Sequence, residues 1–139
     1  MRIERGEFEI DDDPERIDFD VVVASLQATY WGEGLSPETI VASFRNADAF
    51  GLYRNSGAQI GCARVVTDRV RFAWLSDVVV DADYRGHGLG TWFTETILAH
   101  PNYRDVQRWV LATRDAHHIY AKFGFAPADA TRFMVMSRA

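Results

Sequence analysis

The stretch Arg85-Gly86-His87-Gly88-Leu89-Gly90 decides the fold, because it stands between two apolar stretches of different character. The run Val78-Val79-Val80 before it is typical of a buried strand, and the apolar residues within 89–98 recur at helical spacing. A helix that follows a glycine turn has free N–H groups at its start, where the helix dipole is positive. Glycines let a phosphate approach the backbone and Arg85 adds a cation, so this stretch predicts a pyrophosphate site.

The spacing of these glycines separates several kinds of pyrophosphate loop. In the dinucleotide pattern G-x-G-x-x-G the third glycine would stand at position 91, which is Thr91. No lysine follows the turn, as the P-loop pattern would require. The pattern R-x-x-G-x-G resembles the coenzyme A loop of the GNAT acyltransferases (Gcn5-related N-acetyltransferases). A purely structural turn between a strand and a helix would also explain the glycines.

A second block supports the same resemblance. The sequence Ala116-His117-His118-Ile119-Tyr120-Ala121-Lys122-Phe123-Gly124-Phe125 is similar to the GNAT signature A-x-x-L-Y-x-x-x-G-F. It follows the glycine stretch in the order that the family has, with a short buried strand predicted at residues 108–112 between them. The two motifs together identify the chain as a member of the GNAT family.

The resemblance implies the fold. It is an α/β (α+β) fold of the GNAT acyl-CoA N-acyltransferase type, with a mixed, mostly antiparallel central sheet flanked by helices. Residues 1–139 would form a single acetyltransferase domain, since this length suits one core and is too short for two. The parallel pair of strands would be formed by residues 72–80 and 108–112, separated where the donor enters.

Local patterns predict the remaining elements. A first edge strand is expected at residues 3–10, and helices are expected after the capping residues Asp18 and Ser36. Further strands are predicted at residues 50–54, 59–66, 72–80 and, as the closing strand, 133–136.

Composition limits the class of protein. The chain is 47% hydrophobic and 13% aromatic, which is typical of a globular domain. No apolar run reaches the eighteen residues of a membrane span, and the net charge of −5 disfavours nucleic acid as a partner. A single cysteine, Cys62, favours a reducing, cytoplasmic location. A homodimer through a sheet edge is compatible with the sequence, which gives no reason to choose it.

The resemblance assigns the donor, acetyl-CoA, to two stretches. Backbone groups of Val78, Val79 and Val80 would pair with the pantetheine arm, and an N–H of this run would polarise the thioester carbonyl. The pyrophosphate would be held by Arg85-Gly86-His87-Gly88-Leu89-Gly90 together with Thr91.

Two catalytic residues are predicted. Tyr120 stands where the family has the tyrosine that protonates the thiolate, although its helical spacing with Ala116 and Phe123 also fits a buried face. Asp77 precedes the valine run and is the candidate general base; it could equally bind an ammonium group or serve as a structural carboxylate. The family often has Asn seven residues before the tyrosine, and this chain has Thr113 there.

The acceptor site is predicted from aromatic residues. Tyr30 and Trp31, followed by Glu33, could face a cationic amine, with Trp74 on the opposite wall. The same residues could instead form a hydrophobic plug. No metal is expected, because adjacent histidines such as His117 and His118 point in different directions on a helix.

Three functions follow from this sequence. The favoured one is transfer of an acetyl group from acetyl-CoA to a small-molecule primary amine, by direct attack in a ternary complex. The second is a protein or peptide N-acetyltransferase, which would need an open groove. The third is a non-catalytic module that binds acetyl-CoA.

Overall fold

A computed structural model describes residues 1–138, which build one six-stranded sheet with helices on both faces. The strands are β1 (Arg2–Arg5), β2 (Phe8–Asp11), β3 (Asp48–Arg54), β4 (Gln59–Thr67), β5 (Phe72–Val80) and β6 (Arg108–Val110). The helices are α1 (Phe19–Gln27), α2 (Pro37–Arg45), α3 (Leu89–Leu98) and α4 (His117–Ala121). The strands lie in sequence order, all pairs are antiparallel except β5 with β6, and the expected mixed sheet is thus confirmed.

The two long N-terminal helices begin where their capping residues predict. The Asp18 side chain accepts hydrogen bonds from the N–H groups of Asp20 and Val21, and Ser36 accepts one from Thr39 at 3.1 Å. These bonds satisfy N–H groups that have no partner inside a helix. Both predicted helix starts are therefore confirmed.

Two hydrophobic clusters lie on opposite faces of the sheet. One contains α3 residues such as Phe93 and Ile97 together with Leu52 and Val65 of the sheet. The other packs α1 and α2 against the sheet and includes residues Ile17, Val22, Leu26, Ile40, Phe44, Ala49, Cys62 and Val79. The sheet is buried on both sides, which explains why its central strands are largely apolar.

The first predicted strand is wrong in one respect. Residues 3–10 form a hairpin instead of a single strand, with Arg5 opposite Phe8 and a turn at Gly6, whose φ is 59°. The alternation of apolar and charged residues continues through both strands of the hairpin, so this pattern did not reveal the turn between them. A glycine with positive φ makes the reversal possible.

The closing strand predicted at residues 133–136 is also wrong. These residues pair with no strand within the described part of the chain, and Met134 and Val135 are 96% and 91% exposed. An apolar, β-prone pattern becomes a strand only where it pairs with a sheet edge, and among the described residues this stretch forms no such pairing.

Candidate active site

A cavity of about 1000 Å³ opens where β5 and β6 separate. The two parallel strands pair at only three positions, the last being Trp74 with Val110. Beyond that pair, residues 75–80 and 111–116 move apart, and both stretches contribute to the cavity wall. The peptide edge of β5 that faces this gap is open to an extended ligand that adds as a strand.

The glycine loop (residues 85–90) forms one end of this cavity. Gly86 and Gly88 have φ angles of 85° and 72°, which explains why glycine is needed at both positions. A Cβ atom at Gly86 would meet nothing within 4 Å, so the space above this backbone is open. α3 begins directly after Gly88, and its free N–H groups point towards the loop. These residues fit an anionic group such as a pyrophosphate.

Two arginines add positive charge at the glycine loop: Arg85 within it and Arg5 from outside it. Arg85 donates from Nε to the carbonyl of Val80 at 3.2 Å, which ties its side chain to the end of β5. Arg5 of β1 reaches the loop from the other end of the sheet: one of its nitrogens lies 3.9 Å from where a Cβ of Gly88 would be. Its guanidinium also stacks on the Trp92 ring at 5.5 Å. Sequence reasoning missed Arg5, because nothing local connects β1 with a loop eighty residues away.

β5 contains a bulge at Asp77. The register runs from Cys62 opposite Val79 to Arg64 opposite Ser76, so two residues of β5 face one residue of β4. Asp77 has a φ of 56°, unusual for a residue other than glycine. A bulge shifts the pleat by one residue, so Ala73 and Leu75 before it and Val78 and Val80 after it all pack towards the α3 cluster. The bulge thereby directs Val78 and Val80 into the cavity wall.

The side chain of Asp77 is held by two donors. Its Oδ2 lies 2.5 Å from Nε of Arg64, and its Oδ1 accepts a hydrogen bond from Nε1 of Trp31 at 3.0 Å. The residue is only 9% exposed, and Arg64 also reaches the hydroxyl of Ser76. The carboxylate is thus paired and fixed in the cavity wall.

Tyr120 lies on α4, and its ring contributes both to the cavity wall and to the edge of the α3 cluster. The Tyr120 ring therefore packs against the hydrophobic core and also faces the cavity. Burial raises the pKa of Tyr120, and the nearby Tyr30 adds to this effect. A phenol with a raised pKa keeps its proton at neutral pH and can donate it.

Tyr30 contacts Arg114, a residue that is not among those predicted for the site. The guanidinium of Arg114 lies 3.7 Å from the centre of the Tyr30 ring, and the Arg114 N–H donates to the Tyr30 hydroxyl at 3.0 Å. Tyr30 also packs edge-on against Trp31, with the ring centres 5.0 Å apart. The guanidinium of Arg114 thus already occupies one face of the Tyr30 ring.

The structure gathers most of the predicted site residues in this one cavity. Its walls include Tyr30, Trp31, Trp74, Asp77, Val78, Val80, Arg85, Gly86, Gly88, Leu89, Gly90, Thr91 and Tyr120. Three predicted residues lie elsewhere: the Val79 side chain packs into the α1–α2 cluster, and His87 and Glu33 are exposed outside the cavity wall. The backbone of Val79 remains in the strand that borders the cavity.

Other candidate chemistry lies away from the cavity. The Cys62 thiol is buried, and this burial raises its pKa, so it is not a reactive thiolate. Within residues 1–138, no three His, Cys, Asp or Glu side chains come together as metal ligands would. None of the helices in this part of the chain has the length and apolar character needed to cross a membrane.

Comparison with known proteins agrees with this geometry. The family model of the acetyltransferase (GNAT) domain matches residues 45–127 of the chain. A Gibberella zeae protein named as an acetyltransferase is 26% identical over an alignment of 138 positions, with coverage of 85% of this chain and 78% of that protein. The crystal structure of a Xanthomonas campestris protein assigned to the GNAT family superimposes with a TM-score of 0.89 at 27% identity, covering 98% of this chain and 96% of the other.

A more distant structure shares the fold. Glucosamine-6-phosphate N-acetyltransferase of Arabidopsis thaliana is 18% identical, with a TM-score of 0.65 and coverage of 95% of this chain and 97% of that one. Because the matching family model covers more than half of the chain and includes both sequence motifs, the protein is an acyltransferase that belongs to the GNAT acetyltransferase family.

Proposed function

We propose that this protein transfers an acetyl group from acetyl-CoA to the primary amine of a small molecule, by direct attack in a ternary complex. One observation carries the proposal: a single cavity joins the glycine loop, the open edge of β5, Tyr120 and the aromatic pair Tyr30 and Trp31. Donor and acceptor can therefore meet in the same space. A volume of about 1000 Å³ is at the upper end of small-molecule sites, which suits two ligands at once.

The donor would occupy the half of the cavity between the glycine loop and β5. The loop N–H groups and Arg85 would hold the pyrophosphate, with Arg5 as a further cation. The pantetheine arm would pair with the open backbone edge at residues 78–80, as an added strand does. This arrangement would bring the thioester to the bulge, where an N–H of Val79 or Val80 can polarise its carbonyl.

The reaction would then need two proton movements. The neutral amine attacks the thioester carbonyl carbon, a C–N bond forms, the C–S bond breaks and the amine nitrogen loses a proton. Tyr120 supplies a proton to the departing thiolate sulfur and regains one from water. Its raised pKa keeps the phenol protonated until that moment. The role of Asp77 as the base that takes the amine proton, directly or through water, stays a prediction.

The charges of the cavity bear on the acceptor class. The Asp77 carboxylate is already paired with Arg64, and Asp115 lies 3.5 Å from Arg114 at the mouth. Since the Asp77 carboxylate already has its cation, it has little charge to offer a second ammonium group. Arg114 is 64% exposed in its side chain, and an exposed pair with Asp115 is weak enough for the guanidinium to face an anion. An amine that carries a neutral or acidic group fits this cavity better than a polyamine does.

Two measurements test the proposal in order. The melting temperature should rise with acetyl-CoA and not with NAD or ATP, since ligand at about 100 times its Kd stabilises a protein by about 2.7 kcal/mol. Release of free thiol is then followed with a panel of diamines, amino acids, amino sugars and an N-terminal peptide. Turnover with an amino acid or amino sugar supports the proposal.

Other results identify the alternatives. Turnover with the peptide alone would indicate a protein N-acetyltransferase. A melting shift with acetyl-CoA but no thiol release from any amine would favour the non-catalytic binding module. An equal shift with NAD would mean that the glycine loop does not select coenzyme A.

A further inference from the structure

Four apolar side chains of β4, β5 and β6 belong to neither hydrophobic cluster. Here called the apolar row, they are Val66, Phe72, Trp74 and Val110. Val66 and Phe72 are 42% and 39% exposed, and the other two are partly buried. Single exposed apolar residues are normal on a protein surface, whereas a contiguous group indicates a contact with something apolar.

The sheet register places these four side chains together on one face. The residues that alternate with Phe72 and Trp74 along β5 pack into the α3 cluster, so these two side chains point to the opposite face, on the side of α1 and α2. Trp74 pairs with Val66 on one side and with Val110 on the other. Because paired residues of adjacent strands are neighbours on the same face, the apolar row is continuous.

Trp74 connects the apolar row with the active-site cavity. It lines that cavity together with Tyr30 and Trp31, which are themselves 42% and 44% exposed. The cavity wall includes Ser76, which points to the same face as Trp74, and also Val78, which packs towards the α3 cluster on the other face. The cavity therefore reaches both faces of the sheet, and on the side of α1 and α2 it meets the apolar row.

The apolar row is too small for a protein partner. Each partner in a standard protein interface buries about 800 Å² of surface. Four side chains, none of them as much as half exposed, offer only a narrow strip. A strip of this kind suits an alkyl chain or an aromatic ring that leaves the adjoining cavity.

We propose that the acceptor is a primary amine on an apolar body, an alkyl or aryl group that extends from the cavity across Trp74 to Phe72. This inference rests on the proposed transfer to a small-molecule amine and names the class of that amine. The amine nitrogen lies at the bulge beside the thioester carbonyl, and the apolar body covers the apolar row. A strand rises about 3.3 Å per residue, so Phe72 lies about 7 Å beyond Trp74. A short amine therefore reaches only Trp74, and a longer one reaches both.

A series of primary alkylamines tests this class with the wild-type enzyme. Thiol release is measured at saturating acetyl-CoA with butylamine, hexylamine, octylamine and decylamine, which share the same basicity and differ only in apolar length. Full burial of a methylene strengthens binding by about fourfold, and a chain on an open surface is covered on one side only. We therefore expect kcat/KM to rise about twofold for each added methylene. A series in which kcat/KM is constant or falls with length overturns the inference.

The variant Phe72→Ser locates the apolar body. It shortens the apolar row at the end far from the cavity, so the ratio of kcat/KM for decylamine to that for butylamine should fall about fivefold. This ratio does not depend on the fraction of the variant that folds. The control Ile3→Ser removes an apolar side chain of similar exposure, 37%, on β1 at the other edge of the sheet, and should keep the wild-type ratio. An unchanged ratio in Phe72→Ser overturns the inference.

Further results separate this inference from the proposed function. Turnover of amino acids or amino sugars together with a flat alkylamine series overturns the inference alone. Absence of thiol release with every amine overturns the proposed function and the inference with it. Light scattering of Phe72→Ser should give the molar mass of the wild type. A lower mass would assign the apolar row to a contact between copies of the chain, and would also overturn the inference.

Discussion

The two halves of the active-site cavity are built in different ways. The half proposed to bind the donor, here called the donor half, consists of consecutive residues, 78–91, in which a strand, a loop and a helix start offer mainly backbone groups. The acceptor half is assembled from side chains far apart in sequence. Trp31 donates a hydrogen bond to Asp77, which lies 46 positions away, and Arg114 packs on the ring of Tyr30, which lies 84 positions away. In the proposed function, backbone geometry would hold the donor, whereas side chains would select the acceptor.

This contrast suggests how the two halves should respond to mutation. Changes in the donor half should act on acetyl-CoA affinity for every acceptor. Changes in the acceptor half should leave acetyl-CoA affinity unchanged and act on stability or on the choice of amine. Tyr120 lies where the two halves meet, and its substitution should have the largest effect.

Replacing Tyr120 by Phe removes the proposed proton donor and little else. We expect kcat to fall by about 100-fold, the lower end of what general acid catalysis contributes. The Kd of acetyl-CoA and the melting temperature should change little, because the ring remains. Steady-state thiol release and calorimetry measure these quantities. Unchanged turnover would remove Tyr120 from the mechanism.

The pH profile sharpens this prediction. A proton donor stops working when the pH exceeds its pKa, and burial raises the pKa of Tyr120 above the ordinary tyrosine value of about 10. Wild-type kcat should therefore show no loss from the tyrosine up to about pH 10. An alkaline decline that begins near neutral pH and disappears in Tyr120→Phe would contradict this assignment.

In the acceptor half, Arg64→Met removes the cation that pairs with Asp77. Asp77 is almost fully buried and Arg64 is mostly buried, so the carboxylate would be left with Trp31 as its remaining donor. We expect the free energy of unfolding to fall by about 2 kcal/mol, somewhat less than the cost of breaking a fully buried pair. Urea denaturation measures the change.

A double variant tests the cause of that loss. In Arg64→Met/Asp77→Asn the unpaired charge is gone, so part of the lost stability should return. The Kd of acetyl-CoA should be the same in the wild type and both variants. The single variant Asp77→Asn completes the comparison: if the double variant loses the sum of what the two single variants lose, the pair itself is not the origin of the effect.

The same contrast explains what the sequence could predict. The donor half depends on local signals, because Gly86 and Gly88 stand in one continuous motif, and Tyr120 at its border stands in another. Helix starts at Asp18 and Ser36 were also predictable, because a cap and the N–H groups it satisfies are neighbours in sequence. The bulge at Asp77 carried no such signal, since an aspartate with positive φ is sustained by Arg64 and Trp31 from other elements.

The errors in the sheet have a related origin. Period-two patterns tell which side of a strand is buried but do not show whether a partner strand is present. Residues 3–10 kept their alternation through a hairpin, and residues 133–136 have a strand-like composition but no partner strand within residues 1–138. Pairing depends on contacts far apart in sequence, and a local pattern does not contain them.

In the donor half, Gly86→Ala has a matched control in Gly57→Ala. Both glycines have positive φ, 85° and 97°, and in both cases an added Cβ would meet nothing within 4 Å. Backbone strain should cost each variant a similar stability, about 1 kcal/mol. Only Gly86 faces the predicted pyrophosphate, so its variant alone should bind acetyl-CoA about tenfold more weakly, a loss of about 1.4 kcal/mol.

Calorimetric titration of both variants decides this comparison. Equal affinities would show that the glycine loop is a structural turn and not a phosphate site. A loss of affinity in Gly57→Ala of the same size would show that general loosening of the fold causes the effect. Either result would break the assignment of the donor half.

The smallest effect is expected for Arg114→Ala, which tests the choice of acceptor. Arg104→Ala is its control, because Arg104 is likewise exposed and next to an aspartate but lies outside the cavity wall. An exposed guanidinium contributes about 1 kcal/mol to binding an anion, so KM should rise about fivefold for amines with an acidic group. It should stay constant for neutral amines and for acetyl-CoA, because Arg114 belongs only to the acceptor half. An equal rise in KM for neutral amines would instead assign to Arg114 the task of holding Tyr30 in place, and the charge would then have no part in selecting the acceptor.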